Sequence, residues 1–318
     1  MREEPAPGLV ADWLNAWLAA IGVTVLLPEA RLSWSDTPVP TARFGVPDGS
    51  PPLADALAAA LPSLADLQGL AIARQRPGLR DLQRRVDLET YAERANAARL
   101  SKDLTLSATV TDLVLKVPES GLPHAPFDPS VPRGITLWQR AVSCREAIVD
   151  PAEAIAATLA GRGRRIPNNG LGFDTRRLVA GVQSAEKRVD PVIELLAFTG
   201  IQLFPIRGDG TRHQARGWTG PESYPGSFHW CAWSAPLGMW GIDAVIDSIP
   251  QARADVGLAL RLGMHAWYHS VPYRVPPGSA DPTRAYGSER CVAPAHAARR
   301  AQGGRRQSIG GRLSRERG

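Results

Sequence analysis

Seven cationic side chains crowd into the 27 residues "RGRRIPNNGLGFDTRRLVAGVQSAEKR". Arg162, Arg164, Arg165, Arg176, Arg177, Lys187 and Arg188 stand there against Asp174 and Glu186, a local balance of +5. A guanidinium is a planar fork of five donors that fits phosphate oxygens, so such a run has the chemistry to hold a polynucleotide backbone. Between the cations, Asn168 and Asn169 offer amides to sugar or base edges, and Phe173 offers a flat ring for stacking. A second group, Arg207, Arg212, Arg216 and Trp218 in "IRGDGTRHQARGW", is similar in kind. The competing reading is a pair of solvated loops in an Arg-biased chain, since 34 of the 37 cations are Arg.

Signatures of bond-breaking chemistry are incomplete. His265 and His269 in "HAWYH" have the i, i+4 spacing of two zinc ligands on a helix, but Ala266 stands where the zincin pattern needs its Glu base. The chain has no GxSxG and no Walker-type loop, and "GLGFD" lacks the third glycine of a dinucleotide loop. Cys144, Cys231 and Cys291 lie far apart and form no CxxC, as isolated buried thiols do. Nothing in the pattern calls for a cofactor or a metal.

Two stretches share one outline. "DWLNAWLAAIGVTVLLP" from Asp12 and "DPVIELLAFTGIQLFPIR" from Asp190 each open on an acid, run apolar, and place a Gly ten residues later, Gly22 and Gly200. Each reads as a helix closed by its glycine and followed by a β-favouring run. The first helix is expected over Gly8–Ile21, with "VTVLL" as its strand. Asp190 is the natural N-cap of the second, with Pro191 in the first helical position. Glu194, inside "VIELLAF", must either reach solvent at the helix edge or pair with a buried Arg.

Around these units, "RLSWSD" and "TARF" predict short strands, "PPLADALAAALPSLADL" a helix broken at Pro62, and "PAEAIAATLAGRG" another helix. "LRDLQRRVDLETYAERANAARL" reads as an amphipathic helix and "LTLSATVTDLVLKV" as a strand pair. "FHWCAW" alternates like a strand, so the Trp residues of "HWCAWSAPLGMW" point to a core or a subunit interface. The expected class is α+β, two helix–Gly–strand units with a mixed or antiparallel sheet arrangement. Residues 1–120 form an N-terminal half, 121–135 a Pro-rich linker or loop, and 136–273 a C-terminal half with the Arg-rich loops. Residues 274–318 form a disordered basic tail.

The net charge of +6 belongs to that tail. From Pro294 onward it holds seven Arg against Glu316, so the preceding 293 residues sum to zero. The apolar share of 44% fits a globular body, and no apolar run reaches the eighteen or so residues of a membrane span. No basic-then-apolar leader opens the chain, and the cytoplasm is the expected compartment, with no membrane partner.

The segments "LNAWLAAIGVTVL" (Leu14–Leu26) and "VIELLAFTGIQLFPIR" (Val192–Arg207), with "GFDTRRL" (Gly172–Leu178) upstream of the second, resemble the CRISPR-associated large-subunit-like proteins of type I systems. The likeness is greatest to the small members of subtype I-U, also called I-G. About sixty residues carry it, and the family's Pro-Gly and Cys near the first helix are missing here. The resemblance implies a non-catalytic subunit of an RNA-guided effector complex in antiviral defence. Its partners would be guide RNA, target DNA and other effector subunits, with protein gripping backbones while base pairing reads sequence. Two alternatives stay open: a metal-dependent enzyme using His265, His269 and Asp243, and a scaffold that docks a protein through its Trp-rich region.

Overall fold

The computed structural model describes residues 1–68, 137–167, 188–204, 206–208, 213–219, 227–273 and 285–291. The expected amphipathic helix, the strand pair over Leu104–Val117, the Pro-rich linker and most of the basic tail lie outside these residues.

The chain opens with strand β1 (Arg2–Val10), then helix α1 (Leu14–Leu26), β2 (Arg31–Trp34), β3 (Thr41–Val46) and α2 (Leu53–Ala60). After residue 136 come α3 (Leu137–Glu146), α4 (Pro151–Leu159), β4 (Ile166–Pro167), β5 (Arg188–Val189) and α5 (Pro191–Gly200). A 3₁₀ turn (Ile201–Leu203) leads to β6 (Ile206–Gly208), β7 (His213–Ala215), β8 (Trp218–Thr219) and β9 (Ser227–Trp233). Helices α6 (Met239–Ala254) and α7 (Val256–Arg261) precede β10 (Met264–Tyr273) and β11 (Ala285–Cys291). The class is α+β. One antiparallel sheet runs β1–β3–β2, a second runs β8–β9–β10–β11, and β4–β5 and β6–β7 are two-strand ribbons.

Helices α1 and α5 are the centre of the core. All ten residues of α5 are buried, as are the eleven from Leu14 to Thr24 in α1. A helix that is apolar all round has no face for solvent, so it must be surrounded. Three tryptophans stitch the sheets to this centre, each indole N–H donating to a distant backbone carbonyl. Trp17 reaches Cys231 (2.9 Å), Trp230 reaches Ala11 (2.7 Å) and Trp233 reaches Leu32 (3.0 Å). A buried indole must find such a partner, and here the partners join segments some two hundred residues apart.

Several expectations need correction. The first helix does not span Gly8–Ile21: its first residues belong to β1, and the helix continues through Gly22 to Leu26, so all of "VTVLL" but its last residue is helical. Neither Gly22 nor Gly200 takes a left-handed conformation, which among described residues is reserved for Gly49, Gly161, Gly217 and Gly263. Their role is contact. A Cβ on Gly22 would overlap the Leu196 carbonyl oxygen and sit 2.8 Å from its carbon, while one on Gly200 would overlap the Leu18 carbonyl oxygen. Each glycine meets the residue four positions before the other. The repeated outline is thus a reciprocal crossing of two backbones, which only a missing side chain permits.

The tail boundary also moves, because Ala285–Cys291 is a strand paired with β10 from Trp267↔Cys291 to Tyr273↔Ala285. "RLSWSD", "TARF", "PAEAIAATL" and "FHWCAW" form the elements expected of them, and α2 ends before Pro62. Among the described residues, no helix is long and apolar enough to cross a membrane.

Candidate nucleic-acid interface

The Arg-rich stretch leaves the core at the end of α4. Asp150 caps that helix by accepting from Glu153 N–H (3.1 Å), with Pro151 in the first turn. Gly161 (φ 77°) ends it. Its N–H donates to the Thr158 carbonyl and the Arg162 N–H to the Ala157 carbonyl, the paired bonds of a Schellman motif. That turn fixes the direction in which Arg162 departs.

Two close approaches pin the backbone just beyond. A Cβ on Gly8 of β1 would overlap the Thr158 carbonyl oxygen and lie 2.7 Å from Gly161 N, and one on Gly163 would overlap the Asp190 carboxylate. Asp190 caps α5 as expected, its Oδ1 accepting from Val192 N–H (3.0 Å) and Ile193 N–H (3.4 Å). The Thr158 hydroxyl donates to the same carboxylate (2.9 Å), tying α4 to α5 under the Arg segment. Burial raises the Asp190 pKa above the usual carboxylate range, against the opposing pull of these hydrogen bonds and of the nearby Arg165.

From this anchor, β4 and β5 pair as Ile166↔Val189 and Pro167↔Arg188, and Arg188 donates to the Arg165 carbonyl (3.3 Å). The ribbon brings Arg188 back to Pro167 and the Arg165 backbone, close to the stretch 162–165. Arg162, Arg164, Arg165 and Arg188 are all exposed, and among the described residues no ion pair within 4.0 Å engages the side chains of the first three. Asn168, Asn169, Phe173, Arg176, Arg177 and Lys187 belong to the span 168–187 and lie outside the described residues.

Of the second basic group, Arg216 departs from the expected exposed position. Arg216 is buried and committed inward. Its Nε donates to Asp247 (2.8 Å), its Nη1 to Asp243 and to the Leu203 carbonyl (2.7 Å), and its Nη2 to the Asp243 carbonyl. The cause is α6, which presents Asp243 and Asp247 one turn apart to the turn at Arg216–Gly217. That i, i+4 acid pair was the sequence signal for an internal partner. Arg207 sits on β6 opposite Gln214 and Trp218 on β8 opposite Phe228, while Arg212 lies outside the described residues.

Other candidates change meaning. His265 and His269 lie on strand β10, where four residues span about 13 Å, too far to share an ion. The His265 ring meets the carbonyls of Ser35 (3.2 Å) and Gly263 (3.3 Å), and Asp243 serves Arg216. Among the described residues no three His, Cys, Asp or Glu side chains gather to hold a metal ion. Trp230 and Trp233 are sealed in the core and only Trp240 of that group is exposed, at 77%.

Of the two positions open to Glu194 in the sequence, the structure takes the buried one, within a polar cluster. Glu194 is at no helix edge, being 2% exposed, and accepts from the Asn15 amide across the α1–α5 crossing (2.6 Å). Arg140 and Cys144 of α3 are buried near it, and burial, reinforced by Glu194 and Asp190, pushes the Cys144 thiol far up. A thiol held protonated is no nucleophile. Sequence reasoning missed His229, whose ring stacks on that of His269 with centroids 5.8 Å apart. Comparison of the chain with protein-family models, curated proteins and solved structures finds no match.

Proposed function

We propose that the protein is a non-catalytic nucleic-acid-binding subunit of an RNA-guided type I CRISPR effector complex, holding guide RNA or target DNA by the backbone. The observation that carries the binding is the set Arg162, Arg164 and Arg165: exposed, in no ion pair among the described residues, and held on a backbone locked by Gly8, Gly161, Gly163 and Asp190. Exposed cations next to a sequence with further Arg, Asn and Phe residues suit phosphates with bases alongside. The effector-complex setting rests on the likeness of Leu14–Leu26 and Val192–Arg207 to that family, and implies a cytoplasmic protein working with other subunits.

The test is fluorescence anisotropy with single-stranded RNA, single-stranded DNA and duplex DNA over a salt series. Each lost phosphate contact lowers the slope of log K against log salt by about 0.7–0.9. The Arg162→Ala/Arg164→Ala/Arg165→Ala variant should therefore lose about two slope units with unchanged folding, and weaken binding similarly for all sequences. Unchanged affinity and slope in that variant sink the assignment.

A further inference from the structure

Trp240 departs from the other tryptophans of its stretch. Trp230 and Trp233 are sealed in the core, whereas Trp240, in the first turn of α6, is 77% exposed. A tryptophan that finds a partner buries about 150–250 Å², so one left in solvent marks a surface that something else can cover.

Arg31 stands next to it. Two reciprocal backbone bonds lock β2 to the segment before α6: Leu32 N–H donates to the Leu237 carbonyl (2.7 Å) and Leu237 N–H to the Leu32 carbonyl (2.9 Å). That bridge lays the Arg31 guanidinium over Gly238, where a Cβ would overlap its Nη1 and lie 2.9 Å from its Cζ. Gly238 precedes Trp240 by two residues, so their Cα atoms are at most about 7 Å apart. Arg31 is exposed and enters no ion pair among the described residues, and no acid stands in the first turn of α6.

We propose that Arg31 and Trp240 form a second contact for single-stranded nucleic acid, Arg31 holding a phosphate and the Trp240 indole stacking on a neighbouring base. This contact presupposes the nucleic-acid binding proposed above and adds to it a preference for unpaired bases, since stacked neighbours cover the base faces inside a duplex.

The surroundings of the ring favour a base over a protein. Gly241 follows Trp240 and Ala244 stands one turn on, while Asp243 is turned away to Arg216, so these neighbours leave the indole unshielded. A protein-docking anchor sits within a wider contact patch that excludes water. The exposed face of α6 runs instead from Trp240 through Ala244 and Asp247 to Gln251. A lone flat ring beside an exposed guanidinium matches the alternation of base and phosphate along a strand.

Anisotropy of the full-length chain is measured with a single-stranded RNA, the same backbone lacking bases, and duplex DNA. Trp240→Ala should weaken binding of the base-bearing strand about 5- to 100-fold and leave the abasic strand and the duplex unchanged, while Trp240→Phe keeps most of the affinity. Arg31→Ala should lower the salt slope by about 0.7 on either single strand. Both side chains are exposed, so neither change opens the core. RNA carrying 5-iodouridine should photo-crosslink to the wild-type chain at Trp240, a readout that needs no variant. The proposal is overturned if Trp240→Ala leaves the base-bearing strand unaffected or weakens the abasic strand equally, or if crosslinks map only elsewhere. Release of a protein partner by Trp240→Ala, with RNA affinity intact, overturns it in favour of protein docking. If any of these occurs while the Arg162→Ala/Arg164→Ala/Arg165→Ala variant still loses its salt slope, the Trp240 contact alone falls. A wild-type chain that binds no strand defeats both readings.

Discussion

Replacing Gly22 with Ala tests whether the repeated glycines are a helix crossing or an incidental composition. In an isolated helix the change would stabilise by about 0.8–1.0 kcal/mol, because Ala is the better helix former. Here the new methyl would overlap the Leu196 carbonyl oxygen and lie 3.1 Å from Gly200 N. Backbone cannot rotate away as a side chain can, so α1 and α5 must part by on the order of 1 Å through a fully packed core. Overpacking of this kind costs about 1–3 kcal/mol and more where backbone is struck, leaving a net loss of roughly 1–3 kcal/mol after the propensity gain. Gly200→Ala strikes Leu18 in the same way and should cost a similar amount. The double variant is the sharper measurement. Once the helices have parted for one methyl, the second enters a gap already opened, so the combined loss should fall short of the sum by about 1 kcal/mol. Urea unfolding with constant m gives each value. Gly241→Ala in α6 is the control, since its nearest contact is the Leu237 side chain at 3.3 Å, which can yield. Stabilisation by Gly22→Ala, or strict additivity of the pair, would refute the crossing.

Arg216→Ala should destabilise by roughly 2–4 kcal/mol, because it strands Asp243, Asp247 and the Leu203 carbonyl. Arg216→Lys should not restore it, since an ammonium cannot span those acceptors, and neither change should alter the salt slope of nucleic-acid binding. The pH dependence follows from His229, whose pKa is lowered from 6.5 to about 4 by burial, then by Arg253 and His269. The unfolded chain therefore takes up this proton first. Stability present at pH 7 should fall as pH drops through about 6.5 and stop falling, for this group, below about 4. Discounted for a ring still partly in water, the loss is about 1–2 kcal/mol, and it should vanish from the pH profile of His229→Gln denaturation.

Local features were legible in the residues. The caps Asp150 and Asp190 with their following prolines, the strands of "RLSW", "TARFGV" and "SFHWCAW", and the break before Pro62 each follow from interactions within a few residues. The α+β class followed from their irregular order. What misled was the glycine at residue 22: a glycine ten residues into an apolar run serves equally as a helix stop or as a place for another backbone to touch, and periodicity cannot separate them. "VTVLL" likewise favours a strand by propensity, yet burial on all sides of α1 overrode that preference.

The sequence by itself determined where positive charge concentrates, that the body of the chain is neutral, and that two segments carry one pattern. Tertiary structure alone decided which arginines remain available. Arg162, Arg164 and Arg165 stay in solvent because a Schellman turn and a buried carboxylate hold their backbone at the surface. Arg216 is consumed because a helix starting some twenty residues later turns two acids toward it. It likewise brought Asn15 to Glu194 and His229 to His269, pairs separated by 179 and 40 residues. A side chain's type sets what it can bind, but whether that capacity is spent inside the protein depends on contacts between distant segments, which no local pattern encodes.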